Sequence, residues 1–135
     1  MMAQKTHFPL TTLAEASDDF RRVLWTGRYV QLVVMTIPAG GEIGSEVHPE
    51  TDQVLAVVSG VGEATLGART RTIEAGDVVA VAAGTEHNVV NTGPLPLVLS
   101  TVYGPPEHAV GAVHHTREEA EEAEESGEDV PPQRA

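Results

Sequence analysis

Cysteine is absent from all 135 residues. Disulfide frameworks, thiolate zinc sites, iron–sulfur clusters and cysteine nucleophiles are therefore excluded, and any metal must be held by nitrogen and oxygen. Aromatics are scarce, with one Trp, two Tyr and two Phe, so a core must be built from aliphatic side chains. Cations are few as well: 8 Lys and Arg stand against 20 Asp and Glu, a formal net charge of −12. That balance argues against nucleic acid and anionic membranes as partners. No apolar run approaches the roughly 18 residues of a membrane span. Residues 1–10 lack a basic region followed by an apolar core, so the expected location is the cytoplasm.

What is present is one domain's worth of chain with an ordinary soluble composition. The acid is uneven. Residues 116–135 hold eight acids and two bases, a balance of −6, and residues 1–115 hold twelve acids and six bases, also −6. The body is thus only mildly acidic. Residues 1–19 read as a leader, residues 20–115 as the folded body with a C-terminal extension, and residues 116–135 as an acidic tail.

Within the body, short Val-, Ile-, Leu- and Thr-rich runs alternate with Gly, Pro, Asn and Asp. They fall at 21–25, 29–37, 42–47, 53–59, 62–66, 69–73, 78–81, 87–91 and 97–103. None is long or periodic enough for a substantial helix, and many short strands at regular spacing predict a sandwich or barrel. In the tail, Thr116-Arg117-Glu118-Glu119 is a capping-box pattern opening a stretch over 116–126. Six glutamates repel one another there at helical spacing, and only Ala120 and Ala123 offer an apolar face. A frayed helix passing into disorder over 126–135 is expected.

Two segments carry the chemistry. In the first, Glu46 and His48 are two apart and share a face of an extended chain, Gln53 opens the next apolar run, and Gly60 ends it at a turn. In the second, His87 shares a face with Val89 and Asn91. Alone, a histidine on a strand is more often packed or exposed than a ligand, Glu46 could be a loop acid and Gln53 a satisfied core amide.

The two segments together resemble the paired motifs of the cupins. The usual first motif, G-x5-H-x-H-x3–4-E-x6-G, reads here Gly40-x5-Glu46-x-His48-x4-Gln53-x6-Gly60. The usual second, G-x5-P-x-G-x2-H-x3-N, reads Gly76-x5-Ala82-x-Gly84-x2-His87-x3-Asn91. Spacing is kept throughout, with Glu46, Gln53 and Ala82 in place of His, Glu and Pro. The resemblance implies an all-β, antiparallel jelly-roll barrel followed by the acidic, partly helical or disordered tail. It also implies one divalent metal ion, Fe, Mn, Ni or Zn, near the barrel mouth.

The family's ligand positions map onto Glu46, His48, Gln53 and His87. Glu46, His48 and His87 make a two-histidine, one-carboxylate set of the kind that suits Fe(II) and leaves positions open. Gln53 would add a carbonyl oxygen or orient a water. Cupins with Gln at the fourth position include ring-opening isomerases and cyclases. The resemblance therefore implies Lewis-acid isomerase, cyclase or lyase chemistry on a small oxygenated metabolite, with Glu46 moving a proton. Fe(II)-dependent dioxygenation and non-catalytic ligand binding are the alternatives.

Tyr103, ending the last strand, is a candidate acid or hydrogen-bond donor to substrate, or else a rim aromatic. His108 could fold back over the mouth, whereas the adjacent His114 and His115 point apart. Met35 is expected in the core, Asn91 at its turn, and Gly60, Gly76 and Gly84 at positive φ. Leu55, Val57, Val79, Val81 and Val89 are expected to line a roomy apolar pocket for a small molecule. Val54, Ala56 and Val58 fall on the opposite face, which a second copy would cover, making a homodimer.

Overall fold

The computed structural model describes residues 3–132. Strands β1 (Arg21–Thr26), β2 (Gln31–Ile37), β3 (Asp52–Ser59), β6 (Val78–Val81), β8 (Leu97–Gly104) and β9 (Val113–His114) form one sheet in the order β6-β3-β8-β2-β1-β9. Strands β4 (Val61–Leu66), β5 (Arg69–Glu74) and β7 (His87–Asn91) form the other, in the order β5-β4-β7. Every pairing between these strands is antiparallel. The arrangement is the all-β, antiparallel jelly-roll type that the resemblance implies.

The sheets close on an aliphatic interior. Along β3, Gln53, Leu55 and Val57 are buried while Val54 is exposed, the alternation of a strand with one wet face. β2 is buried on both faces. Val33, Met35 and Ile37 enter the main core with Leu97 and Leu99 of β8. Val34 and Val98, on the outer face, are covered by Ala14 and Leu10. Those residues belong to a short helix, α1 (Leu10–Ala16), so the segment expected as a leader carries a helix packed on the sheet.

The run expected as a strand over 42–47 is realised as two isolated bridges, Glu42 to Val90 and Glu46 to His87. Gly44, at φ +100°, breaks the run between them, and its N–H is taken by the Asn88 side chain at 2.9 Å. Gly60, Gly76 and Gly84 have positive φ as expected. At Gly60 the requirement is double, because a Cβ would lie 2.6 Å from the Pro96 carbonyl oxygen. Asn91 serves its turn, donating to Ile37 and Leu95 carbonyls and accepting from the Gly93 N–H. His114 is buried and His115 points out to Asp19 at 2.6 Å, the divergence expected of neighbours on a strand.

The acidic tail carries the expected capped helix and departs from expectation beyond it. Helix α2 (Arg117–Ser126) carries the full capping box at Thr116 and ends at Gly127 in the left-handed region. Its Ala120 is buried in the main core cluster, which also holds Phe20. A methyl group lets the helix backbone approach closely, while the glutamates spread to solvent and Arg117 pairs with Glu121 at 3.0 Å. Beyond Gly127 the chain folds back instead of dispersing. The Asp129 carboxylate accepts from His108 Nδ1 at 2.7 Å and from the Ala109 N–H at 2.8 Å. The rest of the predicted disorder, at residues 133–135, lies outside the described residues. Among the described residues, no helix is long and apolar enough to cross a membrane.

Candidate metal centre

Glu46 and His87 face each other through a reciprocal pair of backbone hydrogen bonds, each 2.9 Å, between the segment before β3 and the start of β7. His48 follows two residues on, with its ring centroid 5.2 Å from that of His87. One potential ligand atom from each of Glu46, His48 and His87 lies within 4.8 Å of the others. Two segments distant in sequence are thus brought to one point by β-pairing, whose register fixes which side chains meet.

The second nitrogen of each ring explains its orientation. His48 Nδ1 is 3.0 Å from Glu107 Oε1, and His87 Nδ1 is 2.8 Å from the Thr85 carbonyl oxygen. Carboxylates and carbonyls only accept, so both Nδ1 atoms carry a proton, and Nε2 of each ring is the position left for a cation or a second proton. His48 Nε2 stands 3.0 Å from Glu46 Oε2 without the alignment of a hydrogen bond. The approach brings the two groups to one point, where a proton on the imidazolium or a shared cation would sit between them. Glu107 is itself held by Thr51 Oγ1 at 2.8 Å.

The electrostatics follow. Burial opposes ionisation of Glu46, but His48 and the Arg21 guanidinium outweigh it and hold the carboxyl below its ordinary value. Burial likewise opposes the His48 imidazolium, yet Glu107 and Glu46 on its two sides push it up to about 9. A ring flanked by two carboxylates attracts a positive charge, and a divalent cation supplies one. The donor set of two imidazole nitrogens and a carboxylate oxygen suits a borderline divalent metal.

Of the other expected site residues, Gln53 opens β3 opposite Tyr103 and donates from Nε2 to Thr101 Oγ1 at 3.0 Å. Its Oε1 is buried and has no partner among the described residues. That leaves a carbonyl oxygen available, as a fourth ligand requires. Tyr103 is fully buried, edge-on to His48 at 5.8 Å and to His108 at 5.0 Å. Burial raises its phenol far above the ordinary value, so it keeps its proton and acts as a donor.

The pocket differs from the apolar one expected. Leu55, Val57, Val81 and Val89 are packed in the core with Met35 and Leu99, and Val79 is partly buried against that cluster. The cavity at the cluster, about 330 Å³, is polar and is lined by Arg21, Glu46, His48, Glu107 and Arg117. The sequence reading missed Arg21, Glu107, Arg117 and Asp129. All four lie outside the motif segments, on β1, in the Pro-led stretch after β8, and on or beyond α2. The capping box and Gly127, which bound the tail helix and allow its end to return, were signals for Arg117 and Asp129, and Arg21 and Glu107 carried none.

A protein-family model described as a cupin domain matches residues 33–103. The chain is 39% identical over 115 residues to the uncharacterized protein YrkC of Bacillus subtilis, covering 81% of this chain and 62% of that one. The crystal structure of BH2720 from Bacillus halodurans matches with a TM-score of 0.85 at 36% identity, over 89% of this chain and 96% of that one. A predicted oxalate decarboxylase from Thermotoga maritima shares the fold, with a TM-score of 0.55 at 24% identity over 58% of this chain and 68% of that one.

Proposed function

The chain belongs to the cupin family, and from that premise we propose that it is a metal-dependent barrel acting on a small oxygenated metabolite by isomerisation, cyclisation or elimination. One observation carries the reading. Glu46, His48 and His87 converge while both histidines spend their Nδ1 protons elsewhere, leaving Nε2 for a cation. Glu46, His48 and His87 would hold the ion, and the unpartnered Gln53 Oε1 would supply a fourth oxygen. A divalent cation supplies Lewis acidity toward a carbonyl, enol or hydroxyl oxygen.

The chain's own residues do the rest. Glu107 and Thr85 lock the two imidazoles in the ligating tautomer. Glu46, ionised and 27% exposed at its side chain, reaches the cavity and is the group placed to take a proton. Tyr103, held protonated by burial, would donate a hydrogen bond behind His48. A homodimer belongs to the same reading. Val54 and Val102 pair across β3 and β8 on an outward face, with Val78 on the neighbouring β6, and all three are exposed. Sedimentation equilibrium tests that part separately.

The decisive experiment is metal content per chain on untagged protein, beside His48→Ala and His87→Ala. Near-stoichiometric metal in the wild type, lost in both folded variants, is the expected result. A wild type that stays empty after incubation with Fe(II), Mn(II), Ni(II) and Zn(II) would sink the reading and leave a ligand-binding barrel. The two-nitrogen, one-carboxylate set also favours a second reading, Fe(II)-dependent oxygenation. Dioxygen consumption by the Fe(II)-loaded protein in the presence of substrate would select it.

A further inference from the structure

Arg21 is the least explained charged group in the molecule. It opens β1, outside the segment that the family model matches, and is only 5% exposed. A guanidinium presents five N–H donors in a planar fork, and buried forks are normally hydrogen-bonded. Arg21 Nε has no partner among the described residues. Its terminal nitrogens stand 4.0 Å from Glu46 Oε1 and 4.0 Å from Asp129 Oδ2, beyond hydrogen-bond reach on both sides. The carboxylates balance its charge without filling its fork. Two further buried nitrogens nearby, His108 Nε2 and His114 Nδ1, are also unpartnered among the described residues. His114 is Arg21's register partner on β9, and His108 shares the Asp129 carboxylate with it.

The fork also has a direction. Arg21 lines the cavity that Glu46 and His48 line, and one of its terminal nitrogens is its nearest approach to Glu46. A group seated on Arg21 is therefore one small molecule's length from the ligand cluster.

We propose that Arg21 receives the carboxylate of the substrate, which makes the substrate class a small carboxylic acid with a second oxygen on the adjacent carbon. This rests on the metal reading above for the second oxygen, and on Arg21 alone for the first. A carboxylate matches the planar fork with two parallel hydrogen bonds. A phosphate would bring up to two negative charges beside Glu46, Glu107 and Asp129, so the monoanion fits better. The cavity, about 330 Å³, suits a molecule of this size.

The test loads wild type, Arg21→Lys and Arg21→Gln with cobalt(II) and titrates each with glycolate, its neutral isostere glycolamide, and inorganic phosphate. Calorimetry gives the affinity and the visible cobalt spectrum reports the second oxygen. Wild type should bind glycolate at least tenfold more tightly than glycolamide. Arg21→Gln should erase that preference, weakening glycolate binding far more than glycolamide binding. A structural role for Arg21 would weaken both ligands alike. Arg21→Lys keeps the charge without the fork and should retain only part of the preference, which decides the matter if Arg21→Gln does not fold. Equal binding of the two ligands by wild type, an unchanged preference in Arg21→Lys and Arg21→Gln, or tighter binding of phosphate than of glycolate overturns the proposal. If the protein takes up no cobalt, the metal reading fails by itself. The same glycolate preference is then read on the metal-free proteins, where its dependence on Arg21 supports the proposal and its absence overturns it.

Discussion

His48, in the barrel, and His108, in the stretch that follows it, are built alike and behave oppositely. Each gives its Nδ1 proton to a carboxylate from the C-terminal stretch, His48 to Glu107 at 3.0 Å and His108 to Asp129 at 2.7 Å. Each has a buried Nε2 without a hydrogen bond among the described residues. Yet His48 is pushed up to about 9, while burial holds His108 below its ordinary value. The difference is deeper burial at His108 and a second carboxylate in contact at His48. His48 has Glu46 on its far side, and two negative neighbours overcome the cost of burial. His108 has one, with the Arg21 guanidinium working against it. A histidine–carboxylate pair is therefore not a metal site in itself. Convergence with a further carboxylate and a second imidazole is what makes the Glu46, His48 and His87 cluster one that could hold a metal ion.

The largest expected effect breaks this symmetry directly. His48→Ala should abolish metal retention, a loss of at least about a hundredfold in affinity, because it removes one of three converging ligands. His108→Ala should leave the metal content of the purified protein at the wild-type level. Metal analysis of both variants decides the point, and equal losses would mean that His108 also ligates.

Asp129→Asn comes next, and it acts on stability. The change replaces a carboxylate whose side chain is 4% exposed and which accepts from His108 and Ala109, so about 2 to 3 kcal/mol should go. The pH dependence has a definite sign. Burial opposes ionisation of Asp129, but the bonds from His108 and Ala109 and the nearby Arg21 outweigh it and hold the carboxyl down at about 2. A depressed carboxyl contributes stability that is fully present above its unfolded value of about 3.8 and is lost as pH falls toward 2. The urea midpoints of wild type and Asp129→Asn should thus differ fully at pH 5 and converge on approaching pH 2. A gap that persists undiminished would show that the carboxylate charge is not the source.

Glu107→Gln sharpens the barrel side of the comparison. Metal affinity should fall about tenfold, the low end of what losing an outer hydrogen-bond partner of a ligating histidine costs. The amide can still accept from His48 Nδ1, so the fold should persist. Competition with a chelator of known affinity measures the change.

How far these features were legible follows from where they sit. Glu46, His48 and His87 could be read because their two spaced segments resemble the paired cupin motifs, whose ligand positions they occupy. Gly44 could not be read as the break in its run, since a glycine in an extended stretch does not declare its φ. The roominess of the apolar interior was misjudged for a related reason. Period-two patterning says which side chains point inward, and says nothing of whether they meet and fill the space, as Leu55, Val57 and Leu99 do. The polar cavity depends on Arg21, Glu107 and Arg117, whose approach is decided by tertiary docking. Charge composition pointed the wrong way for the tail, because six glutamates outvote two alanines in any average. One buried methyl at Ala120 and one returning carboxylate at Asp129 are enough to anchor it.

The smallest effect asks whether that anchored tail opens without the barrel. Thr116 Oγ1 accepts from the Glu119 N–H at 3.1 Å, and the Glu119 carboxylate accepts from the Thr116 and His115 N–H groups at 3.1 and 2.6 Å. Thr116→Ala removes the first of these and should cost about 1 kcal/mol. If α2 and the barrel unfold only together, the cost appears in global unfolding, and amides of α2 and β8 lose protection equally. If α2 opens alone, the loss is confined to the amides of α2, and those of β8 exchange as in wild type. The second outcome is expected. Among its alanines only Ala120 is buried, and a helix held by so little apolar contact has a lower opening free energy than strands paired on both sides. Hydrogen exchange resolved by residue separates the two, and uniform loss of protection would make the tail an integral part of the barrel's cooperative unit.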